Sequence, residues 1–353
     1  MAYTTIDNPA EYFNTKLYTG TGSSQSITGV GFDPDWVWIK CRSDATTDNV
    51  LFDRVRTAGQ RLVSNDTGVE ETQTGIMSAF VTDGVTLGTG NASNGSGRTY
   101  VMWNWLANNT TGSSNTSGSI TSTVSANTTS GFSIVSYTGN GSSGATVGHG
   151  IGSTVGMILL KGRSFVDNWA VYHKSIGGTG LLELNGTGGT NTISTRWNNT
   201  NAGATVFTLG NNSQVNNSGS TYIAYCFSEI KSFSKFGSYT GNGSTDGTFV
   251  YTGFKPAMVI MKSSSNTSNW AIWDNKRDDT NVVGKLLLPN TSGAESDLRS
   301  SHYPLDFVSN GFKLRTDALT GTTNINISAY TYIYMAFAEN PFVSSEGLPC
   351  TAR

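Results

Sequence analysis

The sequence predicts an all-β protein built from three tandem β-sandwich repeats. Three observations carry that expectation: four blocks recur three times in the same order, the blocks alternate as strands do, and turn residues separate them at short intervals. The first block is LYTGTGSSQ from Leu17, SYTGNGSSG from Ser136 and SYTGNGSTDG from Ser238. The second is GFDPDWVWIKCRS at 31–43, GSTVGMILLKGRS at 152–164 and GFKPAMVIMKSSS at 253–265. The third is DNVLFD from Asp48, DNWAVYHK from Asp167 and SNWAIWDN from Ser268. The fourth is GRTYVMWNWLAN from Gly97, GSTYIAYCFSEI from Gly219 and AYTYIYMAFAEN from Ala329. Lys40, Lys161 and Lys262 align, as do Tyr100, Tyr222 and Tyr332.

Each block has a strand reading. Trp36 to Lys40 and its counterparts are apolar on both faces up to the lysine, the pattern of a strand covered on both sides. In the closing block, period-2 alternation puts Val101, Trp103 and Trp105 on one face, matched by Ile223, Tyr225, Phe227 and by Ile333, Met335, Phe337. That face is bulky in all three copies and is expected to be the core face of each unit. Clusters of Gly, Asn, Asp and Ser between the strands have the spacing of sandwiches or closed barrels. Helical periodicity is nearly absent apart from a short turn near Asn8. The boundaries follow as 1–108, 109–231 and 232–353, with 109–130 a polar linker or an edge strand. Only about six residues separate the second and third units, so those two should touch. The three could be independent domains or share one pseudo-threefold core.

Composition narrows the function classes. Charged residues are 13% of 353, about half the usual share, so hydroxyl and amide groups solubilise the surface. A net charge of -2 with scattered Lys and Arg gives no footprint for nucleic acid or an anionic membrane. No apolar run approaches 18 residues and no signal peptide is expected at the N-terminus. Three cysteines, Cys41, Cys226 and Cys350, cannot all pair, which favours reduced thiols.

Candidate chemistry is sparse. Gly139-Asn-Gly141-Ser-Ser-Gly144 fits G-x-G-x-x-G, but no helix-forming run follows and the equivalent turns break the pattern. His149, His173 and His302 fall in different parts of their repeats, outside any zinc spacing; His173 aligns with Asp53 and Asp274 at a polar strand end. The Asp33/Asp35 and Asp278/Asp279 pairs are compatible with calcium, but turn chemistry explains them more simply. No serine-hydrolase elbow occurs and no acid pair is nominated for a glycosidase, so no catalytic residue, metal or cofactor is expected. The aligned lysines read as strand-end residues reaching water or a carboxylate. The better candidates are aromatic and amide side chains that could hold a sugar: Trp197 with Asn198, and Trp273 with Asp274 and Asn275. Trp169 and Trp270 align and are expected to be buried, whereas Trp197 lacks an aromatic counterpart and is expected to be exposed.

With these segments in view, the chain resembles the repeated β-rich virion-associated proteins of tailed phages of aquatic bacteria, described as tail-fibre or lectin-like or only as domains of unknown function. The likeness runs from AYTTIDNPAEYFNTKLYTG through GFSIVSYTGNGS, STYIAYCFSEI, FVYTGFKPAMVIMK and NVVGKLLLPN to TYIYMAFAENPF at 331–342. It implies jelly-roll or lectin-like sandwiches and a non-enzymatic structural protein of the virion, made in the host cytoplasm. The expected location is the tail fibre or adsorption apparatus, with other virion proteins and host surface polysaccharide as partners and a homotrimer if it is a fibre. A capsid decoration protein is the alternative, and a polysaccharide depolymerase a third.

Overall fold

A computed structural model describes residues 3–316, 319 and 323–349. Strands take 42% of the residues and helix 4%, so sheet packing must build the core. The expected turn near Asn8 is a short 3-10 segment, Pro9–Glu11. Three main antiparallel sheets share one strand order. In the first, Phe13–Thr19 pairs with the closing strand Thr99–Trp105, which pairs with Trp36–Cys41 and then Val50–Asp53. The second runs Phe132–Thr138, Thr221–Ser228, Val155–Gly162, Ala170–His173. The third runs Ser234–Thr240, Thr331–Pro341, Phe254–Ser263, Ala271–Asp274. Beside each lies a small sheet, built on Gly84–Leu87, on Val206–Leu209 and on Gly311–Leu314. The 109–130 segment supplies Ser113–Asn115 and Ser122–Asn127, which extend the second main sheet outward at its edge.

The two-faced strands explain the layering. Val37 and Ile39 point into an apolar layer under the first small sheet, as do Ile158 and Leu160 under the second and Val259 and Met261 under the third. The alternate residues, Trp36 and Trp38, Met157 and Leu159, Met258 and Ile260, point the other way into one cluster common to all three units. The bulky closing-strand residues join the same cluster. That face, expected to be the core of each unit separately, is therefore the surface through which the units fuse. At its centre Trp105, Phe227 and Phe337 occupy equivalent positions, with ring centroids 6.4, 5.8 and 6.0 Å apart. This triangle marks a pseudo-threefold axis inside a single chain. Trp36 adds a bridge between the first two units, stacking 4.3 Å from the Tyr225 ring.

Truncation at the triangle should be felt by all three sheets. Phe227→Ala is expected to lower stability by about 3–5 kcal/mol, the range for large buried aromatics, read as a lower urea midpoint. A loss below 1 kcal/mol would contradict a shared core.

Candidate functional site

Most residues singled out in the sequence lie at the seams between units. The aligned lysines are buried rather than solvated. Lys161 Nζ donates to Thr67 O across the first–second seam (3.0 Å), Lys262 Nζ to Thr187 O across the second–third (3.1 Å), and Lys40 Nζ to Ser292 O across the third–first (2.9 Å). The acceptors are equivalent residues, so one interaction recurs head-to-tail around a closed ring. Trp169 Nε1 and Trp270 Nε1 repeat the pattern with Val63 O and Glu183 O, and Asn49 takes that role with Leu288 O. Burial pulls all three lysines down to about 8.

Two seams also carry a chain of charges. Arg56 is paired with Asp53 and Glu70, and Glu70 grips Arg163 of the second unit through both oxygens. Arg277 is likewise paired with Asp274 and Glu295, and Glu295 grips Arg42 of the first unit. Tyr225 hydroxyl donates to Asp53 at 2.7 Å and Trp103 Nε1 to Asp274 at 3.0 Å, which ties each network to the central core. At the second–third seam the equivalent residues are His173, Ile176, Thr190, Ser264 and Met335. All the charges are replaced together, which avoids leaving one buried ion alone. His173 Nε2 lies 3.2 Å from Tyr334 O, and burial lowers its pKa to about 4, so it is neutral there.

These placements correct the expected sugar site. Trp197, expected to be exposed, is 1% exposed inside the second unit, and Trp273 is fully buried inside the third. Asp274 belongs to the seam network and Asn275 is buried beside it, so neither faces solvent. Asn198 is partly exposed and accepts from Ser143 Oγ at a turn. Large aromatics with polar neighbours were core residues here, with indole faces packed against the sheets. Among the described residues, no three His, Cys, Asp or Glu converge as a metal site. Asp35 instead accepts from the Ala107 and Asn109 amides, and the 139–144 loop leads into strand Ala145–Gly148. Cys41 and Cys226 are buried free thiols, while Cys350 lies outside the described residues.

The candidate site is a cleft of about 530 Å³ at the second–third seam, the one that lacks the arginine–carboxylate chain. Its lining includes Tyr3, Gly156, Lys174, Glu229, Lys231, Lys235 and Tyr251. Lys174 N donates to Gly156 O at 2.8 Å, as Arg54 N does to Asp35 O in the first unit. There the Asp35 carboxylate, its partner Arg54 and the start of the 109–130 segment fill the equivalent space. At Gly156 the Phe236 ring packs where a side chain would begin, and only a tight turn joins the units, so no linker covers the cleft beside Lys174. Glu229 is gripped by Lys174 and Lys235; burial raises its pKa, but the two ammonium groups outweigh that and hold it below the ordinary value. Lys231 is exposed, 4.4 Å above the Tyr3 ring. Tyr251 lines the cleft with Tyr3 and is 52% exposed; Phe249, two residues back on the same face, is 46% exposed. The equivalent positions hold Ser26 and Thr28 in the first unit and Thr146 and Gly148 in the second. An aromatic pair where two copies carry small residues was the sequence signal for this site.

A family profile described as a domain of unknown function (DUF7483) matches residues 8–341. No curated protein and no solved structure matches the chain.

The buried seam lysines, with His173 at a seam and His149 inside the second unit, set a pH dependence. The lysines hold protons to about pH 8 folded but to 10.5 unfolded, so the unfolded state binds more protons between and stability should rise from pH 8 toward 10. Replacing Lys40, Lys161 and Lys262 by Met should flatten that rise in urea midpoints. On the acid side, His173 and His149 have pKa values near 4 against 6.5 unfolded, so their contribution is lost as pH falls from 6.5 toward 4. A double His→Gln variant should lose less stability over the same interval.

Proposed function

The chain belongs to the DUF7483 family, whose description assigns no activity, and we propose that it is a non-enzymatic structural protein of a tailed-phage particle. In this reading it sits in the tail fibre or adsorption apparatus and contacts host surface glycans. The observation that carries the glycan contact is the exposed Tyr251 in the lining of a polar cleft, with exposed Phe249 two residues along the same strand face. Flat aromatic faces beside hydroxyl and ammonium donors are suited to the C–H faces and hydroxyls of a sugar. The particle context rests on the sequence likeness to virion-associated phage proteins.

A non-catalytic role is supported by the cleft's lining. Glycoside hydrolysis needs two carboxyl groups across the bond, and the lining offers Glu229 alone, neutralised by two lysines. The pseudo-threefold core also bears on assembly. One chain already supplies three subunit-equivalents, so a homotrimer is not required to build its centre. The same symmetry gives the capsid decoration reading its one structural support, since such a body could seat on a local threefold position of a shell.

Mass spectrometry of purified particles followed by immunogold labelling tests the proposal. Labelling at the tail tip supports it, and labelling over the head transfers the protein to the decoration role. Detection only in infected-cell lysate, never in particles, would sink both.

A further inference from the structure

We propose that the second–third cleft selects an anionic saccharide, a polysaccharide whose sugars bear carboxylates, rather than a neutral one. This rests on the glycan-contact reading and adds the ligand's charge. Three lysines line the cleft against one glutamate. Lys174 and Lys235 both spend their charge on Glu229. Among the described residues Lys231 makes no ion pair, and its ammonium stands over the Tyr3 ring at the cleft mouth. The chain as a whole carries a net charge of -2, so attraction for an anion is local to this seam and not a property of the surface at large.

The comparison among seams sharpens the point. Where the first unit places the Asp35 carboxylate against Arg54, the second unit has Gly156 beside Lys174. There Glu229 supplies the fixed anion for Lys174 and Lys235, so the cleft keeps one surplus cation, Lys231, and no linker covers it. A bound carboxylate would pair with that surplus cation. Tyr251 and Phe249 continue from the mouth along one strand face, about 6.6 Å apart by the rise of two residues, offering stacking faces for the sugars that follow.

The test is titration of the full chain with polygalacturonate, dextran and dextran sulfate near physiological salt. Polygalacturonate should bind and dextran should not. Lys231→Met should weaken polygalacturonate on the order of tenfold, the loss of one charge-assisted contact, and raising the salt should have a similar effect. Lys231 is exposed, so this variant should keep the wild-type melting temperature, and Lys16→Met serves as the equal-charge control with unchanged affinity. Tyr251→Ala should weaken binding as well. Equal affinity for dextran and polygalacturonate overturns the charge selection and leaves the glycan reading standing. Binding to dextran sulfate alone, indifferent to Lys231→Met, marks non-specific attraction and overturns it too. No binding to any of the three overturns both.

Discussion

Everything in this molecule depends on the burial of a second face of each main sheet. A sandwich normally gives one face of a sheet to its core and the other to water. Here the second face carries Trp36, Trp38, Trp103, Trp105 and their counterparts, far too much apolar surface to leave exposed. Each unit alone would show water an aromatic wall. Bringing three such walls together around Trp105, Phe227 and Phe337 removes them all at once, and the ring of three is the smallest closed arrangement the sequence supplies.

The seams follow from that closure. Once the walls meet, the strand-end lysines lose solvent, and each finds a main-chain carbonyl of the preceding unit in the ring and one of its own instead. An ammonium held by carbonyls tolerates burial better than a bare one, at the cost of a depressed pKa. Two seams add arginine–carboxylate chains that reach the central core through Tyr225 and Trp103; the third replaces the whole set with neutral groups. Because covalent linkage joins all three units, the copies were free to diverge, and the seam without the arginine–carboxylate chain is the one that leaves a cleft. Specialisation of one seam in a pseudo-symmetric ring is the route by which a scaffold repeated three times acquires a site that occurs once.

The strand pattern, the block order and the contact between the second and third units were legible in the sequence because they rest on local alternation and turn chemistry. Val37 and Ile39 against Trp36 and Trp38 spelled out two covered faces. What covered the second face was not legible, since alternation says that a face is buried and not by what. Trp197 and Trp273 misled for a related reason: asparagine and aspartate neighbours suggest a polar loop, but one residue's exposure is set by chains distant in sequence. The lysines were read as solvated because a strand end usually is, and only closure of the ring buries them. The cleft needed three dimensions to assemble Tyr3, Lys174, Lys231 and Tyr251, although the substitution of Ser26 and Thr146 by Phe249 was visible on alignment of the copies.

A scaffold of this kind holds its surface fixed, because no unit can open without exposing the walls of the other two. Differential scanning calorimetry measures that coupling most directly. The shared core predicts a single transition whose calorimetric and van't Hoff enthalpies agree for the entire chain. Two or three separable transitions, each with the enthalpy of about a hundred residues, would contradict it and return the units to independent domains.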